Sequence, residues 1–168
     1  NIPAIKNKSG SMFSLGTNDF TMRVHYINSV EDFLAIDDSN ISRASKYVLN
    51  TDLDFSSFSK ESGQSVITGI FTGIIDGNGH TIKNLNNYAL FEHFRGSVRN
   101  LTIQDFRNVK TGDEVAAFAR NSSNATFSDM RFINITLEGR HRVAPVVALD
   151  NSGSTFERIS VTNINVKG

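Results

Sequence analysis

The sequence contains no cysteine and no tryptophan, only two prolines in 168 residues, and no net charge. Without cysteine there can be no disulfide framework and no thiolate metal site. That absence fits the cytosol, and it equally fits bacterial secreted proteins that fold without oxidation. Residues 1–84 carry seven Lys or Arg against nine Asp or Glu, and residues 85–168 carry ten against eight. An imbalance this small predicts neither nucleic-acid nor membrane-surface binding. No apolar run approaches the roughly 18 residues of a membrane span. The opening residues Asn1–Lys6 also lack the apolar core of a signal peptide.

What the chain does have is phenylalanine, thirteen copies against three tyrosines, among abundant Asn, Ser, Thr and Gly. Many short strands joined by tight turns have this composition. The last third repeats with an offset of 29 residues. Val98, Phe127 and Phe156 are in step, as are Leu101, Met130 and Ile159, then Ile103, Phe132 and Val161, then Phe106, Ile135 and Ile164. Within each copy the apolar residues alternate and then skip, which is the pattern of a strand followed by a bend. Asp105, Asn134 and Asn163 share the same spacing and predict a polar ladder between coils. A second strand recurs with an offset of 28, Val115–Ala119 resembling Val143–Ala148, with Pro145 predicting a local bend. These features predict an all-β fold with one short capping helix: a right-handed parallel β-helix with coils of about 29 residues.

Residues 1–18 read as a linker, and 19–168 as a single β-helix domain. A leading strand and capping helix occupy 19–65, and the coils occupy 66–168. Phe20, Met22, Val24 and Tyr26 alternate as a strand, and Ser29 caps a helix over 30–37. Asp76-Gly77-Asn78-Gly79 marks a tight turn. Ile82, Leu85, Leu90, Phe91 and Phe94 form a first coil that fits the later register poorly, which predicts an insertion or a different corner. The sequence stops at Gly168 just after a strand set, without a second-strand partner. Solenoids usually shield such an edge, so the chain reads as a piece of a longer protein.

Among candidate functional residues, Arg140-His141-Arg142 form an exposed cationic cluster in the loop between the two strands of a coil. With Arg107 and Lys110 one coil earlier, they are expected to make a basic ridge that meets acidic or glycan groups of a partner. Eight of the ten basic residues in the second half are Arg, which suits directional contacts. Asp76 reads as a turn residue and not a calcium ligand, because the EF-hand pattern is absent. His80 reads as an outward corner residue, and Asp37-Asp38 as a solvated helix end. Six Asn-x-Ser/Thr sequons occur, at Asn7, Asn40, Asn100, Asn121, Asn124 and Asn134. Asn100 and Asn134 fall inside predicted strands, so the set reads as composition.

The runs Tyr47–Phe55, Phe71–Leu85 (with its core Asp76-Gly77-Asn78-Gly79-His80-Thr81-Ile82), Ala89-Leu90-Phe91 and Gly96–Leu101 resemble the β-helical region of Gram-positive M26 zinc metalloendopeptidases. These are the immunoglobulin A1 proteases and related Zmp surface proteases. The resemblance spans about 20–168 and extends to GLUG-repeat surface proteins, from which Ala89-Leu90-Phe91-Glu92 departs. It implies a secreted or cell-wall-attached parent whose catalytic domain holds zinc, a large protein substrate such as immunoglobulin A1, and contacts with adjacent domains of the same chain. An M26 centre needs His-Glu-x-x-His, and His25, His80, His93 and His141 match it nowhere. The segment is therefore expected to be noncatalytic, with no catalytic, cofactor or metal residue and no cofactor of its own. Two other readings remain open, a polysaccharide-active or glycan-binding β-helix and an adhesin stalk. The first would need a stacked row of acids or bases, where the aligned outer positions are Arg99, Ser128 and Glu157.

Overall fold

The computed structural model describes residues 23–168 throughout, together with a backbone pairing near the start. There, β1 (Ile5–Lys6) runs antiparallel to β2 (Met12–Phe13), inside the segment expected as linker. The rest of that segment lies outside the described residues, as do Phe20 and Met22 of the expected leading strand. The described part of that strand is β3 (Val24–Ile27).

Four coils follow. The first holds β4 (Lys46–Leu49), β5 (Leu53–Asp54) and β6 (Ser65–Phe71); the second β7 (Ile74–Asp76), β8 (Thr81–Lys83) and β9 (Ala89–Phe94). The third holds β10 (Ser97–Val109), β11 (Val115–Ala116) and β12 (Ala119–Ser122), and the fourth β13 (Thr126–Glu138), β14 (Val143–Ala144) and β15 (Val147–Asp150). β16 (Thr155–Lys167) opens the next. Every pairing from β3 onward is parallel, and the strands stack in three faces: β3-β4-β7-β10-β13-β16 with β5 and β8, β6-β9-β12-β15, and β11-β14. The chain is an all-β parallel β-helix.

The repeat sets the register. Val98 pairs with Phe127 and Phe127 with Phe156, and the other three apolar series align likewise. The solenoid begins earlier than residue 66, because β3 and β4 already belong to its main face. Lys46 pairs with Ile74, Ile74 with Ser97, Ser97 with Thr126 and Thr126 with Thr155, so the coils run 28, 23, 29 and 29 residues. The ill-fitting coil is thus short, not lengthened. Its tight turn inserts residues between β7 and β8, and the greater saving comes where Asn87 leads directly into β9. Gly73 and Gly96 stack at the corner that closes it, where any Cβ would strike the backbone of the coil before.

β10, β13 and β16 are each three straight segments with two corners. The corner residues hold left-handed backbone, φ 53° at Asn100, 55° at Asp105, 51° at Asp129, 55° at Asn134, 51° at Arg158 and 55° at Asn163. Asn and Asp tolerate this conformation because their short polar side chains bond locally. The predicted ladder is present: Asn134 Nδ2 donates to Asp105 Oδ1 at 3.0 Å, and Asn163 Nδ2 to Asn134 Oδ1 at 2.7 Å. The break beside Pro145 occurs equally at Ala117–Phe118 one coil earlier, whose N–H groups donate to the Pro145 carbonyl. The proline occupies a bend that the coil makes regardless.

A column of phenylalanines fills the interior. Phe94 stacks on Phe71 at 5.2 Å and lies 5.3 Å from Phe127, which stacks on Phe156 at 4.9 Å. Burying each of Phe71, Phe94 and Phe127 contributes about 1.5 to 3 kcal/mol, whereas Phe156, in the last strand, keeps 45% of its surface exposed. The predicted cap closes one end. Ser29 Oγ accepts from Asp32 N at 3.1 Å to start α1 (Val30–Leu34), and Phe33, wholly buried like Ile36, packs against Phe55 and Phe91. The helix is shorter than 30–37, since Ala35–Asp38 tighten into a 3₁₀ turn and Ser39 caps a second short helix, α2 (Asn40–Arg43).

Candidate functional site

The expected basic ridge is taken up by acids of the neighbouring coil. Arg140 makes a two-pronged pair with Asp113, its Nε 3.0 Å from Oδ1 and Nη2 3.2 Å from Oδ2. Arg142 Nη1 lies 3.0 Å from Glu114 Oε1. Both basic side chains stay more than half exposed, which limits what each pair contributes. The Arg140 bond is the first reason that Asp113 titrates below the usual carboxylate range. His141 is exposed between them, its carbonyl accepting from Glu114 N.

Arg107 and Lys110 do not join this group. Arg107 pairs in register with Thr136 and stays exposed, while Lys110 sits over the Tyr88 ring at 5.6 Å. Stacking therefore places acid, not base, against the Arg140 loop. The ridge is a pair of coil-to-coil ion pairs, with His141 as its outward group.

The same arrangement recurs over the surface. Arg99 holds Asp76 through Nε at 3.0 Å and Nη2 at 2.8 Å, and Arg158 holds Asp129 through Nε at 2.6 Å and Nη2 at 3.0 Å. A half-buried chain links four coils: Ser65 Oγ donates to Glu92, Glu92 pairs with Arg120, and Arg120 reaches Glu114, which also holds Arg142. This chain was legible only by applying the 28-residue offset to charged residues, which links Glu92 to Arg120 and Glu114 to Arg142.

Asp76 is a turn residue, as expected. Its Oδ1 accepts from Asn78 N at 2.9 Å; burial alone would raise its pKa, but that bond and Arg99 hold it below the ordinary value. His80 lies at the outer corner with Nδ1 3.2 Å from Asp52 Oδ1. Arg99, Ser128 and Glu157 are in register on one face. Among the described residues, no three His, Cys, Asp or Glu converge as a metal-binding group.

The expectation for Asp37 is corrected, although Asp38 is exposed as foreseen. Asp37 Oδ2 accepts from Thr68 N at 2.8 Å and Thr68 Oγ1 at 2.7 Å, while Oδ1 accepts from Gly69 N at 3.0 Å and Arg43 Nη1 at 3.0 Å. Thr68 and Gly69 form the irregularity where β6 slips register against β9. The carboxylate thus latches the capping helices to the first coil. Burial pushes its pKa up, but the Thr68 and Gly69 bonds and Arg43 outweigh burial and hold it low.

Two shallow clefts flank the cap. One of about 270 Å³ is lined by His25, Tyr26, Asp32, Asp38, Ser42 and Tyr47 among others; one of about 380 Å³ lies between α1 and the Ser57–Ser59 loop. In the first, His25 stacks on Tyr47 at 5.2 Å, and the Tyr47 hydroxyl donates to the Ser42 carbonyl at 2.7 Å. Burial pushes the Tyr47 phenol up to about 12.

With this geometry in view, comparison with known proteins adds one relative. The chain is 30% identical to Halomucin of Haloquadratum walsbyi over 154 residues, a match covering 80% of this chain and 2% of that protein. The chain thus corresponds to a small fraction of the relative's length. No family model matches the chain, and no solved structure matches it significantly. Among the described residues, no helix is long and apolar enough to cross a membrane.

Proposed function

We propose that this chain is a noncatalytic scaffold domain of a surface-exposed protein, secreted or attached to a cell wall. The observation that carries this reading is the use made of its outer charges. Asp76–Arg99, Asp113–Arg140, Glu114–Arg142, Glu92–Arg120 and Asp129–Arg158 each join one coil to the next. Side chains that a carbohydrate-active β-helix would turn toward substrate here hold the stack together. The similarity to a segment of Halomucin supports a place in a much larger surface protein.

In its finer form, the reading follows the resemblance of Phe71–Leu85 and its flanking runs to M26 zinc metalloendopeptidases. The domain would position a large substrate, immunoglobulin A1, for a zinc-bearing catalytic domain elsewhere in the parent. The Arg140–Arg142 loop, with Arg107 and Lys110 nearby, would be the contact region. A surface stalk is the second reading, and the coil-to-coil ion pairs that take up the outer charges favour it. Titrating immunoglobulin A1 onto the chain separates the two: saturable binding weakened by His141→Ala supports the protease module, and no binding supports the stalk. Cleavage of any member of a polysaccharide panel would overturn both.

A further inference from the structure

The six sequons are not equivalent in the folded chain. Asn7 lies outside the described residues. Asn134 spends its amide on Asp105 and its carbonyl on Asn163, in the middle of β13. Asn100 and Asn121 turn their amides toward Asp76 and the Glu92 carbonyl, at 3.5 Å each, and both lie within strands. Asn40 is exposed, but its carbonyl accepts from Arg43, and the Ser42 hydroxyl that completes its sequon is bonded to Ser39.

Asn124-Ala125-Thr126 differs on every count. Asn124 is exposed in the short turn between β12 and β13, with left-handed backbone at φ 50°. Its backbone N–H is satisfied by the Ser152 carbonyl at 2.7 Å, so the turn is fixed without its side chain. Among the described residues, no side-chain hydrogen bond is made by Asn124 or Thr126, and Thr126 is exposed. Asn124 Oδ1 lies against Gly153 of the next coil, 3.1 Å from where a Cβ would stand, and Gly153 has no side chain to hold it there. Ala125, between them, is buried and anchors the turn.

We propose that Asn124 is an attachment site for an N-linked glycan, an inference resting on the surface-exposed reading above. The co-reactant is a sugar carried on a lipid phosphate or pyrophosphate. The Asn124 Nδ2–C1 bond forms as the C1–O bond breaks; the lipid phosphate leaves with the electron pair, and the amide gives up one proton. A glycan here projects from the corner between two faces, where its bulk meets solvent and no ladder is cut.

The test is peptide mapping of the protein purified from the cells that make it, split into material released by protease shaving of intact cells and material retained inside. A glycopeptide containing Asn124, with Asn121 and Asn134 unmodified, is the expected result. Asn124→Gln and Thr126→Ala should each remove that glycan while the circular dichroism spectrum is unchanged, and Thr126→Ser should keep it. Unmodified Asn124 in shaved material overturns the site and leaves the surface reading standing. Finding the protein only inside, without glycan, overturns both.

Discussion

Removing the Asp37 carboxylate should loosen the cap from the solenoid. Asp37→Ala leaves Thr68 N, Thr68 Oγ1, Gly69 N and one Arg43 donor without their acceptor. A hydrogen bond to a charged group contributes about 1.5 to 3 kcal/mol when well buried. The Asp37 side chain keeps 22% of its surface exposed, so water replaces part of that loss. The low end of the range, counted for the two backbone donors alone, gives about 3 kcal/mol. For a chain of this size that lowers the melting temperature by roughly 6 to 12 °C. Urea unfolding followed by circular dichroism reads the stability, and hydrogen exchange at Thr68 and Gly69 reads the latch itself. The pH dependence has a definite sign. The folded-state pKa of Asp37 is depressed, so its contribution is complete above the unfolded value of about 3.9 and is lost as pH falls through the folded value. The gap between wild type and Asp37→Asn should therefore close on acidification. Equal stabilities within about 0.5 kcal/mol at neutral pH, or a gap that widens in acid, would refute the reasoning.

Three further perturbations test other parts of the stack. Asn134→Ala removes the middle rung of the amide ladder and puts a Cβ-bearing residue without local bonding at φ 55°, so it should cost about 2 kcal/mol in urea unfolding, against about 1 for Asn134→Gly. Arg120→Ala leaves Glu92 and Glu114 facing the vacated site with about a fifth of their side chains exposed; a loss of about 2 to 3 kcal/mol, greater at low salt, is expected. The raised phenol of Tyr47 supplies stability that is whole below its unfolded value of about 10 and lost as pH rises toward about 12. A phenolate absorbance titration should show one late-ionising tyrosine, and Tyr47→Phe should remove that late phase.

The 29-residue register was legible because every rung of β10, β13 and β16 faces the same neighbour at the same spacing, and apolar burial enforces it. The second coil fits the register poorly, as expected, because its 23-residue length arises from two opposed changes, extra residues at Asp76–Gly79 and a short run from Asn87 into β9. A single offset hides both. The pairing of Arg140 and Arg142 is not marked in the sequence, because their acids lie 27 and 28 residues back, off the 29-residue spacing of the apolar series. Asp37 was illegible for a different reason. Its partners Thr68 and Gly69 stand at a register slip in β6, a feature of the fold that no residue pattern marks.

The direction of the ladders has a mechanical consequence. In all three faces the backbone bonds run from coil to coil, across the strands. Tension that draws the two ends of the stack apart therefore loads every bond of a coil at the same moment, with the Phe71, Phe94, Phe127 and Phe156 rings sharing the load. A pull on Gly168 along the chain meets those bonds one after another and peels β16 from β13. The molecule is stiff as a rod and weak as a zipper, and which behaviour a force meets depends on where it is applied.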